Sequence, residues 1–250
     1  MALHSLTLFG ALLATLGCTK DAAEDSADTA TGPEAVCTEL AEVECVDELI
    51  LGLGLQDTES DGEISTVTDG DDFVSTIDAT AGGYEASSKN PWVYVRFTAD
   101  GLEKVVIDDE EALESMEWHM ALHRFKIRIN SGSSGPSCVG AAPLLETAYA
   151  DITEPGDPTY YYDEYMDGSC EVIYDSSGLP GSPQLAMGSW WSYESCVKTT
   201  GNPFIIQLED GHVLKLVVEA YYESGQEACN ESGTAGTNSA IFTMRWQMLE

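Results

Sequence analysis

Positive charge is what this 250-residue chain has least of: ten Lys and Arg stand against 44 Asp and Glu, a formal charge of −34. A field of that sign repels phosphate backbones, which excludes nucleic acid as a partner. Long apolar runs are also missing. Past the extreme N-terminus no segment approaches the roughly 20 residues that a membrane-spanning helix needs. Catalytic signatures are equally scarce. There is no His-Glu-x-x-His and no phosphate-cradling glycine loop, and Gly132-Ser133-Ser134-Gly135 falls short of a Gly-x-Ser-x-Gly elbow. Carboxylates are so numerous that paired acids have no diagnostic value, and the chain reads as a non-enzyme. No Cys-x-x-Cys spacing points to zinc. What is present is an apolar content of 43% and an aromatic content of 9%, enough to build a core and to exclude a disordered acidic tail.

The run from Leu6 to Gly17 is apolar but too short to span a bilayer, and it reads as the hydrophobic region of a signal peptide covering residues 1–17. It runs into Thr15-Leu16-Gly17-Cys18, which resembles the bacterial lipobox. That resemblance implies acylation of Cys18, with two chains giving a stable membrane anchor. The expected location is the bacterial outer membrane or cell surface, with extracellular release as the variant. Export into an oxidising compartment also fits seven cysteines.

Residues 18–72 read as a lipid anchor followed by an acidic tether. From Asp21 to Asp72 there is no basic residue, and such a stretch is self-repelling and extended. Val36, Leu40, Val43, Val46, Leu49 and Ile50 recur at three-to-four spacing, which predicts one short helix before Gly52. In that helix Cys37 and Cys45 would lie about 12 Å apart, too far to bridge each other. Asp57, Glu59 and Asp61 alternate ahead of Gly62 as in a calcium-binding loop, although Thr68 stands where the bidentate Glu belongs. A solvated acidic turn is the alternative.

From residue 73 to 250 the pattern is that of strands. Val93, Val95 and Phe97 alternate with Trp92, Tyr94 and Arg96. Leu214, Leu216, Val218 and Ala220 repeat the alternation, as do Phe242, Met244, Trp246 and Met248. Between Trp118 and Asn130, one continuous half-buried strand would point Ala121, His123, Phe125, Ile127 and Ile129 one way and Arg124, Lys126 and Arg128 the other. Only Asp108–Met116 looks helical here. The expected fold is all-β, with antiparallel sheets packed together or strongly curved, plus the one N-terminal helix.

The segment from Trp118 to Gly135, with its Arg124-Phe125 and its Asn130-Ser131-Gly132-Ser133-Ser134-Gly135 turn, resembles the HmuY-like lipoproteins. The order of Thr76-Ile77-Asp78-Ala79, Trp92-Val93-Tyr94 and Phe204–Tyr222 agrees with the same family. The resemblance implies haem or porphyrin capture between two axial ligands, typically His or Met, from loops in the second half of the domain. Those loops correspond here to Asp167–Cys170 and Trp190–Cys196, which hold no His. The resemblance therefore places a Cys170–Cys196 bridge where the ligand pair would be. Met166 and Trp191 are left as the haem-binding candidates. Tyr160, Tyr161, Tyr162, Tyr165, Trp190 and Trp191 could stack on a planar ligand or build the core.

With Cys18 assigned to lipid, Cys37, Cys45, Cys138, Cys170, Cys196 and Cys229 suit three bridges, and Cys138 and Cys229 read as surface-loop cysteines able to pair. Three readings remain: an envelope lipoprotein that captures haem or a related planar ligand, a calcium- or protein-binding surface module, and a structural lipoprotein that has lost the haem site.

Overall fold

The computed structural model describes residues 32–177 and 182–249. The expected signal peptide, Cys18 and the first part of the expected tether lie outside the described residues. A hairpin of β1 (Ile64–Asp69) and β2 (Asp72–Asp78) opens the larger sheet. In the smaller sheet β3 (Val93–Thr98) lies between β4 (Gly101–Val105) and β5 (Met120–His123), with β6 (Lys126–Ile129) outside β5. After β7 (Gly140–Pro143) comes a two-stranded ladder of β8 (Trp191–Tyr193) and β9 (Val197–Thr199). The chain then returns to the larger sheet through β10 (Phe204–Gln207), β11 (Val213–Tyr222) and β12 (Ser239–Leu249), giving the order β1-β2-β12-β11-β10-β7 with every pair antiparallel. The fold is all-β with packed antiparallel sheets, as the alternation predicts. Among the described residues no helix is long and apolar enough to cross a membrane.

Alternation along β3 divides the interior into two cores. Val93, Val95 and Phe97 join Ile77, Leu122, Leu216, Phe242 and Trp246 in the larger core, drawn from both main sheets. Trp92 and Tyr94 face a smaller core with Leu49, Leu53, Leu113, Trp118 and Tyr165. The smaller sheet is thus buried on both faces, and its second face is covered by α1 (Val46–Leu53).

That covering element corrects two expectations. The helix does not begin until Val46, and Val36 to Cys45 is non-helical. Residues 32–72 are folded onto the sheets rather than extended from them: the Val36 N–H donates to the Glu209 carbonyl at 2.7 Å and the Ala41 N–H to the Pro136 carbonyl at 2.8 Å. The cysteines follow from this path. Cys37 bridges Cys138, Cys45 bridges Cys170, and Cys196 bridges Cys229 in α2 (Glu227–Ser232). The Cys170–Cys196 bridge is therefore not formed, and Cys138 and Cys229 do not pair with each other. The N-terminal segment carries Cys45 to the Cys170 loop, while the β8–β9 hairpin delivers Cys196 to α2.

The stretch from Trp118 to Asn130 is a hairpin rather than one strand. β5 and β6 pair with His123 opposite Lys126, and the two-residue turn is Arg124-Phe125, with Arg124 at φ 54°. Such a turn shifts the phase of the alternation by one residue. Ile127 and Ile129 consequently join Met120 and Leu122 in the larger core, while Arg128 sits opposite Ala121 and turns inward. Its guanidinium is fully buried, 4.7 Å over the Trp92 ring and 5.7 Å from that of Trp118.

Candidate functional site

A groove of about 780 Å³ opens where three loop segments meet the end of the larger sheet, within the size range of small-molecule sites. Its first wall is Tyr160-Tyr161-Tyr162 with Glu164. Tyr161 exchanges two backbone hydrogen bonds of 2.9 Å with Ala141, so the tyrosine run is laid along the free edge of β7. The second wall carries Tyr174 and Asp175, held by a bridge from Tyr174 to Pro183 and by the Asp175 N–H donating to the Ser182 carbonyl at 2.9 Å. The third runs from Leu185 through Ala186 to Trp191, whose indole packs against Phe125 at 4.9 Å between centroids.

Asp163 fixes the first and third walls relative to one another. Its Oδ1 accepts the Ala186 N–H at 2.8 Å, and its Oδ2 accepts the Ile129 N–H at 2.9 Å and the Ser134 hydroxyl at 2.6 Å. Burial pushes its carboxyl up to about 6, against the pull of those donors and of Arg128. Gly132 is required beside it: φ is 53°, and a Cβ there would lie 2.6 Å from the Asp163 carbonyl oxygen. Arg128 donates to the Ser134 carbonyl at 2.6 Å, which ties the buried cation into the same cluster.

Of the two haem-binding candidates, only Trp191 lies in the groove. Met166 lines a separate cavity of about 300 Å³ beside Cys45, Gly132 and Gly168, so the structure does not set the two on one ligand. The described histidines are engaged elsewhere. His119 Nδ1 accepts the Phe97 N–H at 3.0 Å and its Nε2 faces Glu209 at 3.2 Å. His123 stacks on Trp92 at 5.0 Å and hydrogen-bonds the Ser87 carbonyl at 2.9 Å. Burial lowers its pKa to about 4, so its imidazole is neutral. His212 is exposed on its turn beside Asp210. Among the described residues the groove's own lining holds no His, Met or Cys. A haem clamped by a His or Met pair therefore does not fit the residues that line it.

The calcium candidate is also corrected. Asp57, Glu59 and Asp61 are exposed, and the chain bends at Asp57 and Thr58 before Glu59 is bridged to Asp108. Among the described residues no group of three or more His, Cys, Asp or Glu could hold a metal.

Residues 88–233, more than half of the chain, match the family model described as HmuY protein. The chain belongs to the HmuY family. Solved structures similar to this HmuY-family chain include a protein of Bacteroides vulgatus named HmuY-like and haem-binding, at 16% identity and a TM-score of 0.46, covering 74% of this chain and 97% of that one. Another is the apo HmuY analogue of Tannerella forsythia, at 17% identity and a TM-score of 0.41, covering 78% and 100%. No curated protein sequence matches the chain. The HmuY match contains the whole groove lining, from Pro143 to Trp191.

Sequence reasoning found Tyr160 to Tyr162 and Trp191 as ring surfaces, and the structure gathers them in one place, while Tyr165 and Trp190 go to the two cores. It missed Tyr174, Asp163 and Ala186. Tyr174 sits in an irregular stretch with no alternation to mark it. Asp163 was hidden as one of 44 acidic side chains, although an acid flanked by four tyrosines is the kind of residue that gets buried.

Proposed function

We propose that this HmuY-family chain is an exported lipoprotein, anchored through Cys18 at the cell envelope, that binds a flat aromatic ligand of the porphyrin kind without chemically changing it. The ring is held by stacking in the tyrosine groove rather than by a His or Met pair on iron. The observation that carries this reading is the convergence of Tyr160, Tyr161, Tyr162, Tyr174 and Trp191 on one groove of about 780 Å³. Tyr161, Tyr162 and Tyr174 are exposed, which leaves their rings accessible to a ligand, while Tyr160 packs against Gly140 and the Ala142 cluster and forms the groove's floor on that side. A stacked aromatic pair contributes about 0.5–1.5 kcal/mol beyond area burial, so several rings suffice for useful affinity. Family membership and the absence of recognisable catalytic motifs support a binder. The lipobox-like Thr15–Cys18 supports the anchor.

Parallel titrations with haemin and metal-free protoporphyrin test this. Equal affinities within about twofold, with no low-spin six-coordinate spectrum for haemin, are expected if iron contributes no ligand bond. A sharp low-spin haem spectrum, or much tighter binding of haemin, would overturn the stacking mode. For the anchor, Cys18→Ala should move the protein from the membrane fraction to the soluble one; retention in the membrane would contradict lipidation at Cys18.

A further inference from the structure

Charge in the groove is one-sided. Glu164 and Asp175 line it together with the tyrosines, and among the described residues no Lys, Arg or His does. The Glu164 side chain is exposed and forms no ion pair among the described residues. Asp175 accepts hydrogen bonds from the Ser182 hydroxyl at 2.6 Å and the Ser177 N–H at 3.0 Å, and its charge is felt by Lys126 of β6, whose own pKa is lowered chiefly by burial. Glu164 is thus the groove carboxylate whose charge is left uncompensated. The exposed rings of Tyr161, Tyr162 and Tyr174 line the same groove, and the faces of Tyr rings are themselves the negative ends of a quadrupole. The surrounding surface, at −34 overall, adds a field of the same sign.

A carboxylate, exposed tyrosine rings and a lining without basic side chains among the described residues are complementary to one kind of occupant. We infer that the groove selects flat aromatic ligands that carry positive charge, and disfavours the doubly anionic side of natural porphyrins. This rests on the groove being the binding site. The cation would lie over Tyr ring faces and near Glu164, where both the quadrupoles and the carboxylate attract it, while a carboxylate-bearing ligand would meet repulsion at the same point.

The full chain is to be titrated at about 0.15 M salt, where long-range attraction to exposed charge is screened beyond about 8 Å. The two probes share one ring: protoporphyrin, with its two propionates, and its bis-amide with a short diamine, in which two ammonium groups replace them. The dication should bind tighter by about tenfold or more. Glu164→Lys should remove most of that difference, whereas Asp71→Lys, in the β1–β2 turn and outside the groove, should leave it unchanged within about twofold. Equal affinities, tighter binding of the dianion, or an equal effect of Asp71→Lys and Glu164→Lys would overturn the charge preference while leaving the groove as the binding site. Failure of both porphyrins to bind would remove the groove reading itself, and this inference with it.

Discussion

Asp163 and Ala186 are joined by a 2.8 Å hydrogen bond from the Ala186 N–H to Oδ1, and that contact ties one wall of the groove to another. The same carboxylate takes the Ser134 hydroxyl and the Ile129 N–H on its other oxygen, so one buried acid ties the β6 hairpin, the serine turn, the tyrosine run and the Leu185–Trp191 segment together. Removing it leaves three donors without their acceptor and takes one of two nearby carboxylates, the other being Asp109, from the field around the buried Arg128. Asp163→Ala should cost about 3–5 kcal/mol, the usual effect of removing one partner from a buried charged cluster, and lower the melting temperature by about 10 °C. Thermal unfolding checks this, and a change below about 1 kcal/mol would show that the cluster is not what holds the walls.

A pH effect follows from His123. Its folded pKa is lowered from 6.5 to about 4, chiefly by burial. Between those values the unfolded chain binds more protons than the folded one, so the stability due to the neutral imidazole is present above pH 6.5 and is lost as pH falls toward 4. Between pH 7 and 4 the difference in unfolding free energy between wild type and His123→Gln should shrink by about 3 kcal/mol. Asp163, raised in the folded state, slopes the opposite way below about 6 in both proteins and cancels in the difference. A difference that stays constant with pH would show that His123 is protonated in place.

The three bridges close very different loops. Cys196–Cys229 spans 33 residues, whereas Cys37–Cys138 and Cys45–Cys170 span 101 and 125. Loop-closure entropy gives each about 3–5 kcal/mol, with the long loops at the upper end. The double variant Cys45→Ala, Cys170→Ala should therefore lose stability and also loosen α1, read as faster amide exchange at Leu49 and Leu53 than at Leu214 and Leu216. Uniform acceleration across all four would mean that α1 and the sheets open as one unit.

Calcium should do nothing. With Asp57, Glu59 and Asp61 exposed and not gathered into a group that could hold a metal, millimolar calcium is expected to leave the melting temperature unchanged within about 1 °C. A rise that grows with calcium concentration and disappears in Asp61→Asn would restore the site.

Several strands could be read from the chain because their side chains alternate between a core and something else. In β12 Phe242, Met244 and Trp246 are buried while their neighbours are partly exposed, and a period of two is all that is needed to see this. β3 was equally legible, but the alternation could not say that both faces are interior, since Trp92 and Tyr94 look the same whether covered by α1 or by water-facing chain. The β5–β6 turn was hidden for a local reason: Arg124-Phe125 is a two-residue turn made of residues with no turn preference, so nothing in the sequence announced the change of phase that buries Arg128. The disulfide pairing depends on where residues 32–55 run, which is set by long-range packing of Leu49 and Leu53 on the smaller core. The groove was half legible. Consecutive aromatics at 160 to 162 were visible as ring surface, but their meeting with Tyr174 and Trp191 is a product of tertiary folding alone.

The central claim is that the tyrosine groove is where ligand binds. The affinity of metal-free protoporphyrin for wild type and for the double variant Tyr161→Ser, Tyr174→Ser tests it most directly, since both side chains are more than half exposed and their loss leaves the cores untouched. The account requires binding by the wild type and a loss of about tenfold or more in the variant, at unchanged melting temperature. Equal affinities for the two proteins would contradict it.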